Sequence, residues 1–283
     1  MTTAIPASER SLLRSGASTL FAAHSEPLTP ALLDLLRQLG LAAIEIADYH
    51  ANFDYDDAAW LDQVRGWLAS RGLALNSVHA HFEKRQPHSD LAAPTEAVRR
   101  ESVGLYRGGL EALARLGGDV LVTHHIAIPP ADRQPEEHRQ RRRAFVASLR
   151  ALAPVAADLG VRLALENGST GWNADVEHLA ALIDEASAQA VVGICLDTGH
   201  RHRTGDVASA IRAAGPHLIT LHIHDNHGQR DEHIMPLDGT IAWGSVVQAL
   251  REIRYPGVFM YEIGSAADPR GIPANYRSLM ALP

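Results

Sequence analysis

Short runs rich in aliphatic and β-branched residues alternate along the chain with longer stretches whose apolar positions recur at helical spacing. The runs are Ser18 to Ala22, Ala43 to Asp48, Ala74 to His81, Asp119 to His125, Arg162 to Asn167, Gly193 to Thr198, Leu218 to Asp225 and Gly257 to Ile263. The stretches between them have recognisable ends. Thr29 stands as an N-cap with Pro30 at the first helical position, Leu32, Leu33, Leu35 and Leu36 form an apolar stripe, and Gly40 closes it. The same grammar recurs at Asp56 to Gly72, Pro94 to Gly117, Pro135 to Gly160, Ala174 to Ala188, Asp206 to Gly215, Ala242 to Ile253 and, more weakly, Ala274 to Leu282. Eight strands and eight helices in strict alternation predict an α/β protein with a parallel sheet, and eight is the number that closes a (β/α)₈ TIM barrel. An open doubly wound sheet is the alternative. No linker rich in Pro, Gly or Ser divides the 283 residues, so 1–283 reads as a single domain.

Strand side chains alternate between the barrel interior and the helix layer, so parity says which residues face inward. If Leu163 and Leu165 face the helices, Ala164 and Glu166 face inward; if Ile194 and Leu196 do, Gly193, Cys195 and Asp197 face inward. The same rule turns Thr220, His222 and His224 inward opposite Leu221 and Ile223, and Glu262 inward opposite Phe259, Tyr261 and Ile263. It selects His124 over His125, and adds Glu45 from strand 2 and His79, with His81 beyond it, from strand 3.

That inventory changes the picture, because carboxylates and imidazoles crowded at one mouth are costly unless something positive neutralises them. None of these strand ends carries Lys or Arg at an inward position, so a divalent cation is the expected counter-charge. Imidazole plus carboxylate without a thiolate cluster suits Mn²⁺ or Zn²⁺ best, then Co²⁺ or Fe²⁺, with Mg²⁺ less favoured as histidines accumulate. The carboxyl ends of the strands are also where barrel enzymes do their chemistry.

Composition sets bounds on partners. A formal charge of -7 argues against a nucleic-acid partner, because such binders neutralise phosphates with excess Lys and Arg. The one cysteine, Cys195, excludes an intrachain disulfide and reads as a small core residue. No apolar run reaches about eighteen residues and Met1 to Ser18 lacks a signal-peptide core, so the expectation is a cytoplasmic protein with no membrane span. Homo-oligomerisation is left open. Sixteen histidines against five Phe and four Met is a skewed choice, and many of them fall at or just after strand ends.

With these residues placed, Leu163-Ala-Leu-Glu-Asn167, Cys195-Leu-Asp-Thr-Gly-His200, His222-Ile-His-Asp225, Asp231-Glu-His233 and Met260-Tyr-Glu262 resemble the signatures of the xylose isomerase-like superfamily, which joins sugar isomerases and epimerases to apurinic endonucleases. The resemblance runs from strand 2 to strand 8. In the epimerase branch it implies one metal held by Glu166, Asp197, His222 and Glu262. In the endonuclease branch it implies three zincs on His79, His124, Glu166, Asp197, His200, His222, Asp231, His233 and Glu262, and all nine positions carry the residue type that branch uses. One to three ions are therefore implied. Against DNA stand the acidic balance, a first strand reading Gly16-Ala-Ser-Thr-Leu-Phe21, and the acidic aromatic segment from Ala51 to Asp57, which looks more like a lid over a small polar ligand.

The resemblance implies a metal-dependent isomerase or epimerase of a small sugar, sugar phosphate or keto-polyol. The expected step is proton transfer next to a carbonyl, with Glu166 and Glu262 as base and acid and His200 moving protons, orienting hydroxyls or holding a second metal. A lyase or dehydratase on a keto sugar shares that chemistry, and a multi-zinc phosphoesterase is the other alternative. Asn167, Asn226, His227 and Arg230, just beyond ligand positions, are candidate substrate contacts. Glu45 is either a substrate contact or an inward structural carboxylate. Trp172, Phe53 and Tyr55 are candidate walls for a sugar; Trp243 reads as packing.

Overall fold

The computed structural model describes residues 14–82, 89–123, 126 and 128–283. Eight parallel strands form one sheet in the order β7-β6-β5-β4-β3-β2-β1-β8. They are β1 Arg14–Ser18, β2 Ala43–Ala47, β3 Ala74–His79, β4 Val120–Thr123, β5 Arg162–Glu166, β6 Val192–Asp197, β7 Leu218–His222 and β8 Val258–Tyr261. Just past β7, Ile223 N donates to Met260 O at 2.8 Å and Glu262 N to Ile223 O at 2.9 Å, which brings β7 against β8 and nearly closes the barrel. The TIM barrel expectation stands, and the open-sheet alternative falls with that closure.

Ten α-helices surround the strands among the described residues: α1 Leu20–Ala23, α2 Pro30–Gln38, α3 Ala58–Arg71, α4 Glu96–Leu116, α5 Pro135–Leu159, α6 Val176–Ala186, α7 Thr198–His202, α8 Val207–Ala214, α9 Trp243–Glu252 and α10 Ile272–Met280. Their ends follow the local chemistry. Thr29 Oγ1 accepts from Leu32 N at the start of α2, and Asp57 accepts from Ala59 N and Trp60 N at the start of α3. Gly72 and Gly160 end α3 and α5 in the left-handed region, with φ of 63° and 68°, where a side chain would be strained.

The first strand is a correction. Expected over Ser18 to Ala22, it lies at Arg14–Ser18, and Leu20–Ala23 turns into α1. Small residues there fit either conformation locally, and pairing decides: Gly16 lies opposite both Ala43 of β2 and Met260 of β8.

Parity holds in the other strands. Leu121, Leu163, Leu165, Ile194, Leu196, Phe259 and Tyr261 join the main core under the helices, while Val120, Val122, Ala164 and Cys195 form a separate cluster inside the barrel. Ala43, Val258 and Met260 form another. In β2, β5, β6 and β8 the next inward residue toward the carboxyl end is polar, Glu45, Glu166, Asp197 and Glu262, so an apolar plug underlies a polar layer. Two bulges adjust the alternation. Asn76 is extra in β3 between Leu75 and Ser77, and Ile219 is extra in β7 between Leu218 and Thr220. Each re-aims its strand, so that Ser77 and His79, and Thr220 and His222, turn inward.

Candidate metal centre and active site

The strand ends deliver Glu45, His79, Glu166, Asp197 and His222, and Glu262 follows β8 directly. All six are buried, none with more than 3% of its surface exposed. Leaving such groups unpaired would cost several kcal/mol each. Instead they interlock: His79 Nδ1 lies 2.9 Å from Glu262 Oε1 and its Nε2 3.1 Å from Glu166 Oε2. His222 Nδ1 lies 3.3 Å from Glu166 Oε1 and 3.4 Å from Glu262 Oε2. Among the described residues, every ion-pair partner of these carboxylates is an imidazole.

Electrostatics follow from that packing. Burial opposes charge on Glu45, but His222 and His79, helped by Ser77, hold its carboxyl down at about 2. Burial likewise opposes charge on Glu166, and His222 and His79 keep it well below the carboxylate range. The histidines answer in kind: despite burial, Glu166 and Glu262 raise His79 to about 10, and carboxylates with the Cys195 sulfur raise His222 well above its ordinary value. The metal-free cluster is thus a set of carboxylates neutralised by protons on imidazoles.

Those protons stand where a cation fits. Neither Glu166 oxygen has a hydrogen-bond partner, although imidazole nitrogens approach both. Ligand atoms of Glu166, Asp197, His222 and Glu262 all lie within 4.8 Å of one another. His222 Nε2 donates to Glu45 Oε2 at 3.0 Å, and that oxygen also accepts from Ser77 Oγ at 2.7 Å. With its Nε2 proton fixed, His222 turns Nδ1 to the centre, the arrangement in which a carboxylate orients a metal-binding imidazole. Glu45 is therefore placed behind His222 and is not among the residues lining the cavity.

Outside this centre lies a second cluster. His200 Nε2 and His233 Nε2 approach Asp231 Oδ2 at 3.1 and 3.2 Å, while their Nδ1 atoms face the carbonyls of Asn167 and Glu262. Asp197, Asp231 and Glu166 raise His200 to about 12 against its burial, and Asp231 and Glu262 raise His233 to about 9. His224 Nε2 lies 3.0 Å from both oxygens of Asp197, and its ring stacks on His233 at 3.8 Å. His224 thus orients Asp197 from behind. His124 lies outside the described residues.

The other candidates sit differently. Asn167 spends its amide on the backbone of Asp197, accepting from N at 2.8 Å and donating to O at 3.2 Å. Asn226 bridges Gly199 O and Gly228 N. Both are fully buried and hold loops. Exposed His227 pairs with Glu232 at 2.9 Å, and neither it nor Arg230 lines the cavity. Trp172 stacks on His178, Phe53 packs on Trp60, and Tyr55 donates to Asp48, so none of the three walls it. Trp243 is buried and donates to Asp225.

A cavity of about 390 Å³ opens over the centre. Glu166, His79 and Glu262 lie in its lining, and so do His24, Tyr49 and His81. His81 is expected beyond His79 at the end of strand 3, whereas His24 and Tyr49 are not among the expected site residues. Their one sequence signal is position, just after strands 1, 2 and 3.

The profile of a known family, the xylose isomerase-like TIM barrel, matches residues 33–282. The chain belongs to that family. It is 27% identical over 235 residues to the D-psicose 3-epimerase of Enterocloster bolteae, covering 81% of this chain and 75% of that one. It is 29% identical over 194 residues to an uncharacterized protein of Methanocaldococcus jannaschii, covering 65% of this chain and 63% of that protein's length. In fold, it is similar to the crystal structure of a D-tagatose 3-epimerase-like protein, with a TM-score of 0.78 at 23% identity over 95% of this chain and 98% of that one. Among the described residues, no helix is long and apolar enough to cross a membrane.

Proposed function

We propose that this protein is a divalent-metal-dependent isomerase or epimerase of a keto sugar or polyol, working by proton transfer at the carbon next to a carbonyl. The observation that carries the reading is the pair Glu166 and Glu262: two buried carboxylates at the base of one cavity, with ligand atoms within 4.8 Å of each other and of Asp197 and His222. Glu166, Asp197, His222 and Glu262 would hold the cation, Mn²⁺ or Zn²⁺ by the mix of oxygen and imidazole donors. When bound there, it supplies Lewis-acid polarisation of the substrate's oxygens.

The chain's own residues do the rest. Glu166, kept ionised, takes the proton from one face of the substrate carbon, and Glu262 delivers one to the other face. His200 lies 3.3 Å from Glu166 through Nδ1 and 3.1 Å from Asp231 through Nε2, so it links the base to the cavity mouth as a proton path. His79, in contact with both carboxylates, sets their separation. The similarity to a D-psicose 3-epimerase supports the substrate class.

A multi-zinc phosphoesterase is favoured by one feature, the convergence of His200 and His233 on Asp231, which could seat another ion. The metal-loaded protein, given a panel of keto sugars in deuterium oxide, should place solvent deuterium on the carbon next to the carbonyl. Glu262→Gln should abolish this while the barrel remains folded. Three metals per chain with cleavage of a model phosphodiester, and no exchange, would overturn the assignment.

A further inference from the structure

Beneath the four residues that converge on the centre lies a second donor set that shares two of them. Ligand atoms of Glu166, Cys195 and His222 also lie within 4.8 Å of one another. All three residues are fully buried. The register explains their depth: Cys195 pairs with Glu166 across β5 and β6, whereas Asp197, two residues on, pairs with His222 across β6 and β7. Cys195 therefore stands one inward position below Asp197. It belongs to the apolar cluster of Val120, Val122 and Ala164, yet its sulfur is within reach of the polar layer above.

The atoms the two sets share are the ones left over. Among the described residues, His222 Nδ1 and both oxygens of Glu166 have no hydrogen-bond partner. His222 has a single lone pair to give, because its Nε2 carries the proton donated to Glu45. One imidazole lone pair binds one cation, so the oxygen-rich set with Asp197 and Glu262 and the sulfur set with Cys195 cannot be filled together. Softness decides between them: carboxylate oxygens suit Mn²⁺, whereas a thiolate selects thiophilic ions. The apolar side chains around Cys195 limit the access of competing water to the sulfur.

We propose that Cys195 is a ligand for soft divalent cations, forming a second cation position that overlaps the first and excludes it. A Cd²⁺ ion there is held by Cys195 Sγ, His222 Nδ1 and Glu166, and the thiol proton leaves to the buffer as the metal–sulfur bond forms. The proposal rests on the cation centre of the functional reading above and adds to it a discrimination between hard and soft ions.

The test uses protein freed of metal with EDTA, then of EDTA, kept reduced with a phosphine and titrated with Cd²⁺ and separately with Mn²⁺. Cys195 is the chain's one cysteine, so an ultraviolet thiolate-to-cadmium charge-transfer band reports on it alone. The wild type should develop that band up to one Cd²⁺ per chain. Cd²⁺ added to Mn²⁺-loaded protein should release one Mn²⁺ for each ion taken up, read from the electron paramagnetic resonance of free Mn²⁺. Cys195→Ser, which is nearly isosteric, should lose the band and weaken Cd²⁺ binding in calorimetry by about 10–100-fold, while Mn²⁺ affinity stays at the wild-type value. Circular dichroism with Cd²⁺ present checks that the barrel stays folded, and if the variant does not fold, the band and the Mn²⁺ release of the wild type still decide. No band from the folded wild type, Cd²⁺ affinity unchanged in Cys195→Ser, an equal loss of Mn²⁺ affinity in that variant, or both ions bound at once would overturn the proposal. A wild type that binds no Mn²⁺ defeats the functional reading separately, and the Cd²⁺ band then decides the role of Cys195.

Discussion

Gly199→Ala isolates the role of His224 with one methyl group. A Cβ on Gly199 would sit 2.5 Å from His224 Nδ1 and 2.7 Å from Nε2, and closer still to Cε1. The ring has nowhere to yield. It is fully buried, stacked on His233 at 3.8 Å, and its carbonyl accepts from Thr198 Oγ1 at 2.7 Å. Overpacking of this kind costs about 1–3 kcal/mol. Pushing Nε2 away from Asp197, which it meets at 3.0 Å on both oxygens, adds about 1–3 kcal/mol for a buried carboxylate stripped of that partner. At about 2–4 °C per kcal/mol, the thermal midpoint should fall by roughly 5–20 °C. Asp197 would also lose the group that orients it, so Mn²⁺ affinity measured by calorimetry should fall about 10–100-fold. Gly66→Ala is the control. Nothing lies within 4 Å of its added Cβ, and its position inside α3 makes it stabilising by about 0.5–1 kcal/mol. A Gly199→Ala protein that melts with the wild type and binds Mn²⁺ equally would refute the orienting role of His224.

Glu45→Ala should weaken Mn²⁺ binding about 10–100-fold, and Glu45→Gln less, because an amide oxygen still accepts the Nε2 proton of His222; equal affinity in all three proteins would place Glu45 outside the metal's support. His79 near 10, His200 near 12 and His233 near 9 all lie above the value for an unfolded chain. Their stabilising effect in EDTA-treated protein is therefore complete below about pH 6.5 and lost as pH rises through 9 to 12. The thermal midpoint of that protein should fall between pH 7 and pH 10. For the same reason metal uptake at pH 7 should release protons, read by calorimetry in buffers of different ionisation enthalpy; uptake with no release would contradict a cluster neutralised by imidazolium. Burial raises the Cys195 thiol well above its ordinary value, so a thiol reagent should label it only on unfolding, and fast labelling of the native protein would show that the barrel interior opens.

Glu166, Asp197, His222 and Glu262 were legible because a strand imposes a period of two, and Leu163, Leu165, Ile194, Leu196, Leu221 and Phe259 mark the opposite face. Where a strand's own residues are indifferent, the pattern fails. Arg14–Ser18 offers only Ala17 to the core under the helices and has no large aliphatic residue, so its register comes from β2 and β8, which are remote in sequence. Glu45 shows a subtler limit. Parity turned it inward, but its partner His222 is 177 residues away, and only barrel closure decides whether it meets a substrate or a ligand's back. Asn167 and Asn226, adjacent to ligand positions, looked like substrate contacts, yet the buried loops after β5 and β7 need their amides to satisfy backbone groups. The cavity wall of His24, Tyr49 and His81, whose rings lie against one another, is the extreme case. His24, Tyr49 and His81 come from three successive loops, and no spacing within any one of them encodes a stack. The strand positions of Glu166, Asp197, His222 and Glu262 therefore follow from local alternation, whereas the cavity wall above them exists only once the strands are assembled.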